Sequence, residues 1–176
     1  MKANRFTAID FETANNDRRS ACSIGIVTVE DMKITGAVEY LIKPPNSYFK
    51  YTYMHGITWN DVKAAPDFSE LWPEIKKYFQ DIDYVAAYNA SFDMGVLKAC
   101  CKKYRISMPE ITYKCALKLA RSRLKLKGYS LAEACKFYNI ELNHHNALSD
   151  SLGCAELMIN FMREDFRGGM PFTQKL

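Results

Sequence analysis

The sequence predicts an α/β fold: a five-stranded mixed sheet flanked by helices, in one domain over residues 1–176. Three observations predict it. Near the N-terminus, three runs rich in β-branched and aromatic residues follow one another at short spacing, as antiparallel hairpins do. Beyond residue 67, runs of strand length alternate with segments of helical apolar spacing, the pattern of a sheet covered by helices. Length and composition suit one core, since 176 residues with 48% hydrophobic and 25% charged side chains are an ordinary globular balance.

The elements follow in order. Residues 5–11 read as the first strand and "ACSIGIVTVE" (21–30) as the second. After "EDMK" as a turn, "ITGAVEYLIKP" (34–44) reads as the third, stopped by Pro44 and Pro45, which cannot donate to a ladder. A loop dense in aromatics, "SYFKYTYMHGI", runs to about residue 57. A helix is predicted over 67–80, with Asp67 as N-cap, Glu70 completing a capping box, and Leu71, Ile75, Tyr78 and Phe79 at helical spacing. "DYVAAY" (83–88) is the fourth strand, 91–104 a helix, and "ITYKC" (111–115) a short fifth strand. Helices follow over about 115–124, 130–138 and 147–163; Ser130 and Glu133 offer a second capping box, and Gly128 marks the break before it.

Several function classes drop out early. No apolar run approaches the roughly 18 residues of a membrane span, and "MKANRFTAID" lacks the apolar region of a signal peptide. A cytoplasmic protein with no membrane partner is expected. Cys22, Cys100, Cys101, Cys115, Cys135 and Cys154 sit among apolar neighbours and form no CxxC pair, so buried reduced thiols are expected rather than disulfides or zinc. The net charge of +4 is a weak pointer to an acidic partner.

The chemistry starts in "FTAIDFETA". Side chains two apart in a strand face the same way, so Asp10 and Glu12 project together from a segment that is otherwise core. Two close carboxylates repel, and desolvation adds to the cost. Either the strand has a solvated acidic edge or a divalent cation sits between them; Mg²⁺ is held in this way, by a few carboxylates and substrate phosphate. "VAAYNASFDMGVL" adds Asp93 in the first turns of a helix, and "HHNALSDSLGCAEL" adds Asp150 one turn into the last helix, with His145 just before it. Taken singly, Asp93 and Asp150 are acids favoured by a helix dipole, and His145 is a surface cap.

Taken together, "DFE" in the first strand, "NASFD" after the fourth and "HNALSD" opening the late helix resemble the DEDDh family of 3′→5′ exonucleases. That family includes the proofreading (epsilon) subunit of bacterial replicative DNA polymerase III, ribonuclease T and oligoribonuclease. The resemblance spans about residues 5–162. It implies a ribonuclease H-like fold and a site of Asp10, Glu12, Asp93 and Asp150 holding two Mg²⁺ or Mn²⁺ ions. Asp10 is then expected to approach both ions, Glu12 and Asp150 to complete the tighter site, and Asp93 to support the second ion. His145 is the expected general base, since imidazole titrates near neutral pH. The implied product is a nucleoside 5′-monophosphate, and the implied partner is the 3′ end of single-stranded DNA or RNA.

The family also suggests contacts to the terminal nucleotide: Phe11 and Thr13 beside the acids, His55 and Gly56 in "MHGIT", and Asn89 in the second motif. Phe11 reads equally well as core, and His55–Gly56 as a turn. Tyr88 departs from the family, many of whose members have His before this Asn, which bears on substrate preference rather than on the acids. The aromatics of "SYFKYTY" (47–53) can stack on bases or pack on their own domain, and the five cations of "KLARSRLKLK" (118–127) can follow phosphates or simply face water.

Two other readings compete with the enzyme. A non-catalytic nucleic-acid-binding module has no use for acids that repel phosphate. A proofreading or accessory subunit of a DNA polymerase complex needs a partner-binding segment, and only about 14 residues follow the last motif helix, so a stand-alone nuclease is expected. Some relatives dimerise, so a homodimer is compatible with the family.

Overall fold

The computed structural model describes residues 4–143 and 145–167. Its strands are β1 (Arg5–Thr13), β2 (Ala21–Glu30), β3 (Lys33–Leu41), β4 (Tyr84–Ala87) and β5 (Tyr113–Cys115). They form one sheet in the order β3-β2-β1-β4-β5. β1 pairs antiparallel with β2, bringing Asp10 opposite Gly25, and β2 pairs antiparallel with β3. Asp31 (φ 49°) and Met32 (φ 60°) make the left-handed turn that a two-residue hairpin requires. β4 runs parallel to β1 and to β5. The sheet is therefore mixed, with β1 at its centre.

The helices are α1 (Thr52–His55), α2 (Trp59–Val62), α3 (Phe68–Ile75) with a 3₁₀ turn over Lys76–Phe79, α4 (Ala90–Lys103), α5 (Ala116–Arg123), α6 (Leu131–Phe137) and α7 (Ala147–Arg167). The period-two alternation of β1 divides the core between two faces. Phe6 and Ala8 pack with Leu119, Leu131, Leu157, Met158 and Phe161 of α5, α6 and α7. Ile9 and Phe11 pack with Phe68, Ile75, Val96 and Leu97 of α3 and α4. Asp10 and Glu12 continue the row of Phe6 and Ala8, and so point to the α7 side.

The expected α/β architecture and the five strands are present. The two short helices α1 and α2 replace the expected loop before residue 57 and its continuation; four-residue helices are too short to show a periodicity. α2 carries its own sign, a capping box of Thr58 and Asp61. The helix expected over 67–80 changes to 3₁₀ at Lys76; Pro73 within α3 already removes one helical donor. All six cysteines are free and buried. No described helix is long and apolar enough to cross a membrane.

Candidate active site

Three separate segments meet at the C-terminal end of β1. The first is β1 itself, where Asp10 and Glu12 are partly exposed between buried neighbours. The ladder to β2 shifts register between Glu12 and Thr13, just after the second acid.

The second segment is the start of α4. β4 pairs with β1 only from Phe6 to Ala8, so beyond Ala8 the edge of β1 facing β4 has no strand beside it. The amide of Phe11 lies in that gap and donates to Asp93 Oδ1 at 3.0 Å. Asp93 is only 2% exposed.

The third segment is the entry to α7. Gly25, beside Asp10, lets this helix approach: a Cβ there would stand 2.0 Å from the carbonyl oxygen of Ala147. Any other residue would hold α7 off the sheet. The Asn146 side chain accepts from the Ser149 amide at 2.9 Å, and the Asp150 amide donates to the Asn146 carbonyl at 2.9 Å, which starts the helix. His145 turns the chain into α7 at φ 67°, in the left-handed region that non-glycine residues rarely adopt. Its amide faces Asp150 Oδ2 at 3.3 Å. Glu12, His145 and Asp150 each offer a ligand atom, and the three atoms lie within 4.8 Å of one another.

The acids form one electrostatic group. Burial, then Asp93, Glu12 and Asp150, push Asp10 well above the usual carboxylate range. Burial, then Asp150, Asp93 and Glu39, push Glu12 up to about 7. Burial pushes Asp93 up to about 7, against the pull of the Phe11 amide. Carboxylates that resist joint ionisation, with an imidazole at their edge, fit a divalent cation: the donors are hard oxygens, and positive charge would relieve their repulsion.

Glu39 was not expected from the sequence. It lies on β3 opposite Gly25, accepts from the Ser23 hydroxyl at 2.7 Å, and receives the Asn146 side-chain amide at 3.4 Å. The β2–β3 register would have found it, because it stands one strand beyond Gly25 in the row that begins at Asp10.

The expected substrate-contacting residues are less uniform. The Phe11 side chain is 2% exposed and lies in the α3–α4 core, on the face opposite Asp10 and Glu12; only its amide serves the acids. Thr13 is buried, and its carbonyl meets His55 Nε2 at 3.2 Å. The Ile57 amide donates to His55 Nδ1 at 3.1 Å, which leaves the proton on Nε2 and the ring neutral. Burial accordingly lowers the His55 pKa, with His145 adding to the effect. Gly56 (φ 77°) ends α1 in the left-handed conformation, with open space around it. His55 and Gly56 thus build the turn that braces the end of β1. Asn89 is exposed at the N-cap of α4, where its side-chain Oδ1 accepts from the Ser91 hydroxyl at 3.1 Å. In the aromatic loop, the Lys50 and Tyr51 amides both bond the Ala14 carbonyl and the Tyr51 hydroxyl bonds Asn16, while Tyr48 and Tyr53 face solvent. His144 lies outside the described residues.

Comparison with known proteins gives a consistent result. The exonuclease family RNase T matches residues 7–158. The PolC-type DNA polymerase III of Caldanaerobacter subterraneus subsp. tengcongensis is 31% identical over 165 residues, which is 90% of this chain and 12% of the polymerase. Among solved structures, Exonuclease X in complex with 5′ overhanging duplex DNA has a TM-score of 0.74 at 26% identity, covering 92% of this chain and 93% of that one. The nuclease domain of 3′hExo, a DEDDh family member bound to rAMP, has a TM-score of 0.80 at 14% identity, covering 99% and 98%.

Proposed function

The chain belongs to the RNase T exonuclease family, and we propose that it is a metal-dependent 3′→5′ exonuclease of the DEDDh type that works as one domain on DNA or RNA. One observation carries this reading: Glu12, His145 and Asp150, from opposite ends of the chain, converge within 4.8 Å, beside Asp10 and Asp93.

Asp10, Glu12, Asp93 and Asp150 would hold two Mg²⁺ or Mn²⁺ ions, which polarise the scissile phosphate and offset the charge that develops on it. The residues of the chain do the rest. His145 takes the proton of the attacking water. The water oxygen bonds to phosphorus, and the bond from phosphorus to the O3′ of the preceding nucleotide breaks. The departing O3′ takes a proton from solvent water, so the shortened strand gains a 3′-hydroxyl, a nucleoside 5′-monophosphate leaves, and His145 returns its proton to solvent. The Phe11 amide fixes Asp93, and the packing of α7 on Gly25 fixes Asp150, so the acids are in place before substrate arrives. Thr13, His55, Gly56 and Asn89 border the terminal nucleotide in this reading, and Phe11 contributes through its backbone.

A polymerase-associated role is the second reading. The likeness to PolC-type polymerases favours it, although the chain spans about an eighth of their length. A polymerase subunit would then be its partner, in the cytoplasm. A catalytically silent nucleic-acid-binding module is disfavoured by the full acid set.

The test compares a 3′-hydroxyl strand with the same strand blocked by a 3′-phosphate, in Mn²⁺ and then in EDTA. Release of mononucleotides from the open end only, and only with metal, is expected. Equal rates on both strands, or cleavage of a closed circle, would overturn the 3′→5′ assignment.

A further inference from the structure

We propose that Lys118, Arg121, Lys125 and Lys127 form a track for the phosphate backbone of the substrate strand upstream of the scissile bond, an inference that rests on the nuclease reading above. No acidic residue occurs between Glu110 and Glu133, whereas Lys114, Lys118, Arg121, Arg123, Lys125 and Lys127 all do. These are six of the 24 cationic side chains, leaving 18 against 20 acids elsewhere. The rest of the molecule is thus net acidic, and a polyanion approaching its acid cluster needs cations set apart from it.

Two of the six are already engaged. Arg123 pairs with Asp165 at 2.9 Å and donates to the Phe161 carbonyl at 3.0 Å. Lys114 lies over the Tyr84 ring, 4.2 Å from its centroid. The other four are exposed, and none forms an ion pair among the described residues. Lys118 and Arg121 stand one turn apart on α5, whose Leu119 and Ala120 are buried. The chain then runs extended from Leu124; Leu124 and Leu126 pack into the core, which turns Lys125 and Lys127 outward.

Tyr88 ties this segment to the site. Its carbonyl accepts from the Leu117 amide at 2.9 Å, and its hydroxyl donates to the Tyr129 carbonyl at 2.7 Å. The Tyr129 hydroxyl in turn donates to the Leu124 carbonyl at 2.9 Å. One residue, immediately before the N-cap of the helix that carries Asp93, therefore pins both ends of the basic segment. Here the departure at position 88 acquires a use: a phenol reaches Tyr129 while its ring stays in the core.

The experiment compares wild type with the variant carrying Lys118→Gln, Arg121→Gln, Lys125→Gln and Lys127→Gln. A control variant loses the same charge elsewhere, through Lys33→Gln, Lys63→Gln, Lys76→Gln and Lys102→Gln. The p-nitrophenyl ester of thymidine 5′-monophosphate reports the acid site alone, and the track variant should hydrolyse it like wild type. On a long single strand its KM should rise about tenfold with kcat little changed. Strand binding in EDTA, followed by fluorescence anisotropy, should lose about 2–3 from its log–log salt slope, since each phosphate contact to a single strand contributes about 0.7. An unchanged slope and KM, or the same losses in the control variant, would overturn the track. Failure of wild type to hydrolyse either substrate would sink the nuclease reading instead, while the binding measurement would still decide the track.

Discussion

The Phe11 amide donates to the Asp93 carboxylate at 3.0 Å, across 82 residues of sequence. The bond exists because β4 stops pairing at Ala8, leaving a central strand with a donor that no strand can take. Asp93 therefore has two tasks, to close the ladder and to complete the acid cluster, and they separate experimentally. Asp93→Asn keeps an acceptor for Phe11 but loses the charge; Asp93→Ala loses both. Both variants should lose turnover. Asp93→Ala should be less stable than Asp93→Asn by about 1–3 kcal/mol, the cost of a buried donor left unpaired, as read by urea denaturation of the two variants.

Without metal, the acid cluster should make the fold less stable as pH rises. Glu12 and Asp93 lie near 7 in the folded protein, above their ordinary values of 4.5 and 3.8. The folded state then binds more protons than the unfolded state between those values, so stability falls across that window, and the share from these two groups levels off above about 7. Divalent cations need the ionised acids, so Mn²⁺ should raise Tm far more at about pH 8 than at about pH 5. Thermal melts in EDTA and in Mn²⁺ at the two pH values measure this. A Mn²⁺ effect that is equal at both would contradict it.

His145→Ala should lower kcat by about 10²–10⁴, the usual range for a lost general base, while the Mn²⁺-induced rise in Tm persists because the four carboxylates remain. His144→Ala, one residue away, should leave kcat nearly unchanged. The check is kcat for both variants on a short single strand with saturating Mn²⁺, and a crippled His144→Ala would reverse the assignment.

Gly25→Ala touches none of the acids, yet it should damage the site. The new methyl would meet the backbone of Ala147 rather than a side chain that can move aside. Overpacking of this kind costs about 1–3 kcal/mol, and the helix that carries Asp150 must shift to relieve it. A lower Tm, together with a kcat at least about tenfold below wild type, is expected; a fully active Gly25→Ala enzyme would show that α7 tolerates the shift.

The sequence was most legible where a local rule governs. Runs rich in β-branched and aromatic residues located the strands, capping boxes at Asp67 and Ser130 located two helix starts, and three short motifs marked the acids. It was least legible where pairing register decides the outcome. Glu39 enters the acid group only because β3 places it opposite Gly25, and nothing in "AVEYL" says so. Phe11 likewise needed the end of the β4 ladder to show that its amide matters while its side chain fills the far core. His55 reads from the sequence as a pocket residue or a turn residue; its two ring bonds, which only three-dimensional contact reveals, show that it also braces β1.

The placement of β1 in the middle of the sheet also governs how the protein fails. Asp10 and Glu12 sit on β1, which β2 flanks along its length and β4 as far as Ala8, and a strand so placed opens late in local unfolding. His145 precedes the first turn of α7 and belongs to no regular element. Mild heat or denaturant should therefore release the base while the carboxylates still hold their ions. On the proposed reading such a species would grip a 3′ end without cutting it and, in a mixture, would shield that end from intact copies, so loss of output would run ahead of the fraction of molecules inactivated.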